Sequence, residues 1–328
     1  MKVELLHSQR DTEGSRSVLT ICIPAYSHEE YIQECIGSIA SARSKRLLEV
    51  IVIDDCSSDS TVLSALTALS CAGVSYSIYR NEQNMGLTFG LDFLLSKASS
   101  EYVIFCASDD KLLPLAIDRV IADLSTEPIE AFTVYGAKYF GNKSGTVYSK
   151  RVFSAIFSDA EKLHEWVSTR IPKPLLLQST VFNREFLCKI SPWDDQLILD
   201  DWPTFIKASR QAILDKLKVS FSSEFLVEYR VHNGGIHRNV ERQRRACFEV
   251  VDRLIAPEYA ARARARVHLE LSVVYLALGE YRMSLSNYAA AIKLNPTPTI
   301  IGLLPAQIVL GIKRFLIKKL VSNFFKFS

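Results

Sequence analysis

An α/β fold with a mainly parallel sheet is predicted by three features of the first 125 residues. Short β-branched-rich runs alternate with segments of helical periodicity. Most of the short runs are near-continuous apolar stretches rather than alternating ones, so both faces of their sheet are covered. Each run ends in polar residues, and in parallel sheets ligands bind beyond the carboxyl ends of the strands.

The elements follow in order. Residues 18–23 (VLTICI) form a strand that stops at Pro24. Residues 28–42 carry Tyr31, Ile32, Cys35, Ile36 and Ile39 on one side of a helix. Residues 48–53 (LEVIVI) are a second strand, 61–69 a helix, 74–79 a third strand, 87–98 a helix and 101–106 (EYVIFC) a fourth strand. From 125 to 235, strand-like runs at 131–135 and 221–227 mix with helices at 160–168, 184–190 and 203–210. Beyond about 240 the chain is helical and rich in Arg and Ala. In 267–296, Tyr275, Gly279, Tyr281, Tyr288, Ala289, Ala291 and Pro296 resemble one tetratricopeptide helix pair, too few for a solenoid.

Composition narrows the function classes. The chain has 328 residues, 48% hydrophobic and 23% charged, enough for a sizeable core. A net charge of +3 without a basic stripe argues against a nucleic-acid partner. Seven cysteines without CxxC spacing read as reduced, which fits the cytoplasm. Residues 1–16 are polar and lack the apolar core of a signal peptide. The uncharged run 294–312 contains Pro296, Pro298 and Pro305, so no membrane-spanning helix is expected.

Three segments concentrate chemistry. Residues 21–39 (ICIPAYSHEEYIQECIGSI) run from a strand through a polar turn into a helix. Residues 50–61 (VIVIDDCSSDST) drive an apolar strand into two adjacent carboxylates, which repel unless hydrogen-bonded or directed at a ligand. Asp59 there also reads as a helix N-cap. Residues 81–110 open a helix at Asn84-Met85-Gly86, then run through a strand into Ala107-Ser108-Asp109-Asp110. A carboxylate pair at that point suits a hard cation bridging phosphates; Asp110 equally suits an N-cap.

In order and spacing these segments resemble glycosyltransferase family 2, with its strand-PxY, strand-DDxSxDxT, NxGL[ST] and strand-xxDD pattern. The resemblance implies the GT-A fold and an inverting transfer of sugar from a nucleoside diphosphate, expected to be UDP, to a hydroxyl acceptor. It implies that Pro24, Ala25 and Tyr26 line the nucleotide, that Asp54 reads the base, and that Asp55 supports the loop. Asn84, Gly86 and Ser108 belong to the same donor site, and Asp109 with Asp110 to a divalent metal, Mn or Mg. Ala107 departs from the pattern: the family has an aspartate there. A looser resemblance covers 182–209, where Asp200-Asp201-Trp202 matches an acidic pair before an aromatic and Asp201 corresponds to the general base. Asp200, Trp202 and their setting are expected to raise the Asp201 pKa. The pair equally reads as a helix start, with Pro203 at N1. Tyr229-Arg230-Val231-His232 resembles the family's YRxH, which implies Arg230 on phosphate or on Asp201, and His232 on metal or diphosphate.

The expected organisation is an N-terminal tail (1–17), a nucleotide-sugar-binding half (18–125), an acceptor-binding half (126–240) and a helical extension (241–328). The extension holds the hairpin at about 267–296 and a basic, apolar tail at 305–328. That tail reads either as an interfacial membrane helix or as packing on the hairpin. The acceptor implied is a glycan or glycolipid of bacterial cell-surface polysaccharide or lipopolysaccharide synthesis, at the inner face of the plasma membrane. Two alternatives stay open: a non-catalytic nucleotide-sugar-binding scaffold, and a nucleotidyltransferase. The second normally carries a Gly-rich phosphate loop, and PAYSHEEY has no glycine.

Overall fold

A computed structural model describes residues 3–9, 17–170, 175–193, 197–231 and 240–296. They fall into two compact units, Met1–His164 with Leu175–Gly235, and Glu165–Pro174 with Ile236–Ser328.

The first unit begins with β1 (Val3–Gln9), β2 (Leu19–Ala25), α1 (Ile32–Ala40), β3 (Leu48–Asp54), α2 (Thr61–Ser70), β4 (Ser75–Asn81), α3 (Leu87–Lys97) and β5 (Tyr102–Phe105). It continues through β6 (Lys111–Leu112), α4 (Pro114–Leu124), β7 (Phe132–Gly141), β8 (Gly145–Thr146), α5 (Lys150–Ile156) and α6 (Ala160–Thr169), whose end enters the second unit. A 3₁₀ turn (Leu177–Ser179), β9 (Thr180–Asn183), α7 (Arg184–Ile190), α8 (Asp201–Asp215) and β10 (Val219–Val231) complete it.

Among the described residues ten strands form one sheet, in the order β1-β4-β3-β2-β5-β9-β7-β10-β6, with β8 beside β7. The central block β4-β3-β2-β5 is parallel, as the apolar runs require. Nearly every side chain of β2, β3 and β5 is buried, so the block is covered on both faces. Beyond it the sheet is mixed. β9 runs antiparallel to β5 and β7, while β7 and β10 pair in parallel over their length with irregularities after Ser222 and Phe225. The register sets Ala25 beside Asp54 and Asp54 beside Arg80.

Two expectations are corrected. The segment read as a tail contains β1, an antiparallel border strand on β4. Its side chains are mostly exposed, so it lacks the apolar run that marks the buried strands; backbone pairing forms it. Pro203 is not the first residue of α8, which starts at Asp201 with Asp200 at the N-cap. Proline is tolerated throughout a first turn, where N–H groups have no intrahelical acceptor.

The second unit contains α9 (Val240–Leu254), α10 (Pro257–Leu278) and α11 (Tyr281–Leu294). α10 ends at Gly279, in the left-handed region at φ +82°, where the chain turns into α11. Ala265, Leu269, Tyr288 and Ala291 pack between the two helices, and the Ser284 hydroxyl donates to the Ser272 carbonyl at 2.8 Å. The tail at 305–328 lies outside the described residues.

The β7–β10 pair leaves no room at Gly136. A Cβ there would stand 2.9 Å from the Glu224 carbonyl oxygen and 3.0 Å from that of Ser223. Gly136→Ala is therefore expected to destabilise the first unit by about 1–3 kcal/mol, as overpacking does. Urea denaturation followed by tryptophan fluorescence checks it; an unchanged midpoint contradicts the tight approach.

Candidate active site

The carboxyl ends of β2, β3 and β5 meet at one edge of the sheet. Backbone bonds carry the ladder to the last residues: Asp55 N–H donates to Ala25 O at 2.9 Å, and Cys106 N–H to Cys22 O at 2.9 Å. The polar loops leave from there.

Asp54 and Asp55 divide their work. Asp54 is 1% exposed. Its Oδ2 accepts the Ser57 N–H at 3.0 Å and faces Arg80 Nε at 3.4 Å, while the buried Oδ1 has no hydrogen-bond partner. The Arg80 guanidinium is fixed in turn by Ser57 O at 2.8 Å. Asp55 turns the other way, onto the 81–86 loop. It accepts Asn81 Nδ2 at 2.7 Å, Met85 N–H at 2.7 Å and Gly86 N–H at 2.8 Å. Gly86 caps α3 at φ +87°, ψ 163°, a conformation open essentially to glycine alone. Asn84 is exposed on this loop.

The Ser-Ser-Asp-Ser-Thr stretch braces the turn after β2. Ser27 N–H donates to Ser57 Oγ at 2.9 Å, and His28 N–H to Thr61 Oγ1 at 2.8 Å. Asp59 accepts Thr61 N–H and hydroxyl and the Glu29 N–H. Burial pushes the Asp59 carboxyl up, but these bonds outweigh it and hold it below the ordinary carboxylate range. Pro24 is half-buried, Ala25 buried and Tyr26 51% exposed, so Tyr26 presents its ring outward.

The acidic loop after β5 is held from two sides. Ser108, fully buried, shares a 2.7 Å hydrogen bond with His28 Nδ1. Asp110, 1% exposed, accepts the backbone N–H of Arg230 on Oδ1 at 2.7 Å. Arg230 Nε donates to the Asp109 carbonyl at 2.7 Å, and its Nη2 pairs with Glu34. Asp109 itself is partly exposed. Lys111, then Arg230, hold the Glu34 carboxyl below its usual range against the opposing effect of burial. The Arg230 guanidinium is thus turned to Glu34 and Asp109. Among the described residues no group of three His, Cys, Asp or Glu side chains could hold a metal ion. His232 lies outside the described residues.

Asp201 stands at the start of α8, 4% exposed, and its Oδ1 accepts the Leu177 N–H at 3.0 Å. Tyr148 accepts the neighbouring Leu176 N–H at 2.8 Å, and burial pushes its phenol well up. Trp202 is fully buried, so it anchors the helix start rather than lining an open surface. Sequence reasoning did not single out Arg80, His28 or Glu34. His28 and Glu34 lie within the 21–39 segment, but their partners are far away along the chain.

Residues 20–184, half of the chain, match the family described as Glycosyl transferase family 2. The chain belongs to glycosyl transferase family 2. A family 2 chain of this kind has relatives in several bacteria. It is 25% identical to an uncharacterized glycosyltransferase of Haemophilus influenzae, over 66% of each chain. Across this and a Mycobacterium tuberculosis relative, the chain spans 66% and 32% of the relatives' length. Among solved structures it is similar to Staphylococcus aureus TarS 1–349 in complex with UDP-GlcNAc, with a TM-score of 0.59 and 17% identity over 84% of this chain and 81% of that one. It is also similar to the mannosyltransferase PcManGT of Pyrobaculum calidifontis in complex with GDP-Man and Mn2+, with a TM-score of 0.56 and 18% identity over 91% and 81%. At these identities the structures speak to the fold, which is the GT-A arrangement of a mostly parallel sheet with helices.

Asp55 is the tether of the 81–86 loop. Asp55→Ala leaves three donors without their acceptor and is expected to destabilise the first unit by about 1–3 kcal/mol. A thermal melt equal to that of the unaltered protein contradicts the tether.

Proposed function

We propose that this chain is an inverting glycosyltransferase that moves a sugar from a UDP-sugar donor to a hydroxyl of a glycan or glycolipid. One observation carries the donor reading: Asp54 Oδ1, a buried carboxylate oxygen without a partner, at the ligand-binding edge of a parallel sheet. Leaving such an atom unpaired costs about 1–3 kcal/mol or more. A ring N–H of a nucleobase, such as N3–H of uracil, supplies the missing donor. Tyr26, exposed beside it, offers a ring face, and Asn84, Gly86 and Ser108 complete the donor side. The UDP-GlcNAc complex of TarS supports a nucleotide-sugar donor.

A divalent cation fits the acidic loop in one way. Asp109 is partly exposed, whereas Asp110 Oδ1 is committed to the Arg230 N–H. Asp109 would therefore hold Mn or Mg together with the donor's own phosphate oxygens, a sharing usual for Mg²⁺, and His232 is a further candidate. When bound, the cation neutralises the diphosphate leaving group. The Mn2+ complex of PcManGT supports this cofactor.

Asp201 is the proposed general base. Its Oδ1 contact with Leu177 N–H orients the carboxyl at the helix start. A base there takes the proton of the acceptor hydroxyl as that oxygen attacks the anomeric carbon. The attack and the departure of the diphosphate occur on opposite faces in a single displacement, which inverts the centre. The setting proposed is bacterial cell-surface polysaccharide synthesis at the cytoplasmic face of the plasma membrane. Among the described residues no helix is long and apolar enough to cross a membrane.

A non-catalytic nucleotide-sugar binder is favoured by one observation, Ala107 in place of an aspartate in a loop without a three-ligand metal cluster among the described residues. Manganese-dependent hydrolysis of UDP-sugars separates the two readings, since a binder releases no sugar.

Asp109→Ala is expected to abolish the manganese dependence of UDP binding in calorimetry and to leave uridine binding in place. Asp201→Asn is expected to lower kcat by about 10²–10⁴-fold with donor affinity little changed, because the interaction belongs to the transition state. Full turnover by Asp201→Asn removes the base from this position.

A further inference from the structure

We propose that Glu34 is a positioning residue for the acidic loop 107–110, acting through Arg230. This rests on the reading of Asp109 as the metal carboxylate.

Arg230 contacts both members of the acidic pair. Its backbone N–H holds the Asp110 carboxylate, and its Nε holds the Asp109 carbonyl, each at 2.7 Å. The guanidinium carbon lies 4.9 Å from the centre of the Tyr31 ring and 4.3 Å from that of Phe140. Arginine stacks on such rings while keeping its in-plane donors. One of those donors, Nη2, goes to Glu34. The side chain is 15% exposed, so its setting is defined by these contacts.

Glu34 sits on the first turn of α1 and splits its carboxylate. One oxygen serves Arg230 and the other takes Lys111 Nζ at 3.0 Å. Lys111 also pairs with Glu228 at 3.0 Å, and Glu228 with Lys138 at 3.0 Å. Arg230, Lys111 and Lys138 are therefore three cations interleaved with two carboxylates. Without Glu34, Arg230 and Lys111, both set against the Phe140 ring at 4.3 Å and 4.4 Å, lose the carboxylate that joins them, and Glu228 is the one acid left in this run of ion pairs. Like charges then drive the guanidinium off the Asp109 carbonyl. The Asp109 carboxylate is on the same residue as that carbonyl, so its position spreads when the brace is lost. The base contact proposed for Asp54, braced by Arg80, lies on β3 and β4 and does not pass through Arg230.

Binding of uridine, UDP and Mn2+ to the full chain tests this by calorimetry. Glu34→Ala is expected to weaken manganese-dependent UDP binding about 10–100-fold, the range for groups that orient a metal ligand. Uridine affinity is expected to stay within about twofold, as for an independent site. Glu34→Gln keeps an acceptor without the charge and falls between the two. In an Arg230→Lys background, Glu34→Ala adds less than about twofold, because both changes break one brace. Equal loss for uridine and UDP overturns the proposal, since that is a general structural effect. Full additivity with Arg230→Lys overturns it too. So does tighter UDP binding by Glu34→Ala, which marks Arg230 as a phosphate ligand that Glu34 withholds. If the unaltered chain binds no UDP with Mn2+, the donor reading falls and this inference with it.

Discussion

Strands β2, β3 and β5 are buried along almost their whole length and leave the core side by side. Their register is defined by parallel pairing, and close packing of the buried side chains on both faces holds it. Apart from the Thr20–Glu49 pair near their amino ends, the polar side chains come at the carboxyl ends. Asp54, Asp55, Ser108 and Asp109 are therefore close in space because Ile51, Val52, Ile104 and Phe105 are in the core. Chemistry at this edge depends on the apolar register beneath it.

The loops above the edge hold one another. Asp55 gathers the 81–86 loop, Ser57 and Thr61 hold the turn at Ser27 and His28, and His28 reaches Ser108. Each such bond contributes about 0.5–1.5 kcal/mol net, so their value lies less in total stability than in fixing positions. A site whose polar groups are held before a ligand arrives loses less freedom on binding. The division between Asp54 and Asp55 follows from this: one carboxylate is consumed by bracing, and its neighbour keeps an oxygen for something else.

Much of this edge was legible in the sequence, because a continuous apolar run followed by carboxylates is a local signal. The strands at 18–23, 48–53 and 101–106 and the helices between them needed no information beyond about ten residues. The helix start at Asp201 was legible as well, from an acidic pair beside a proline, although the helix opens two residues before Pro203. Pairings across the chain were not legible. Arg230 and Glu34 are 196 positions apart, and nothing in YRVH names a glutamate on α1. Strand β1 escaped for a different reason: at a sheet border the backbone carries the pairing, and the side chains VELLHSQ keep no regular pattern. Of the β7–β10 pair only 131–135, at the start of β7, and 221–227, within β10, were seen, since the strands run on into half-exposed residues such as Tyr139 and Tyr229.

The placement of β1 also bears on how the border of the parallel block is covered. A parallel block that ended at β4 would offer a long row of backbone donors and acceptors to any passing chain. β1 covers that row from the opposite direction, and its own register slips between Leu5 and His7. A border strand with such an irregularity, bearing Glu4 and a His7 ring stacked on Tyr76, is a poor template for another strand. The other border is β6, two residues long. Among the described residues the sheet thus ends beside the parallel block in a strand ill suited to recruit a neighbour, while β6 covers only Val227 and Glu228 of β10.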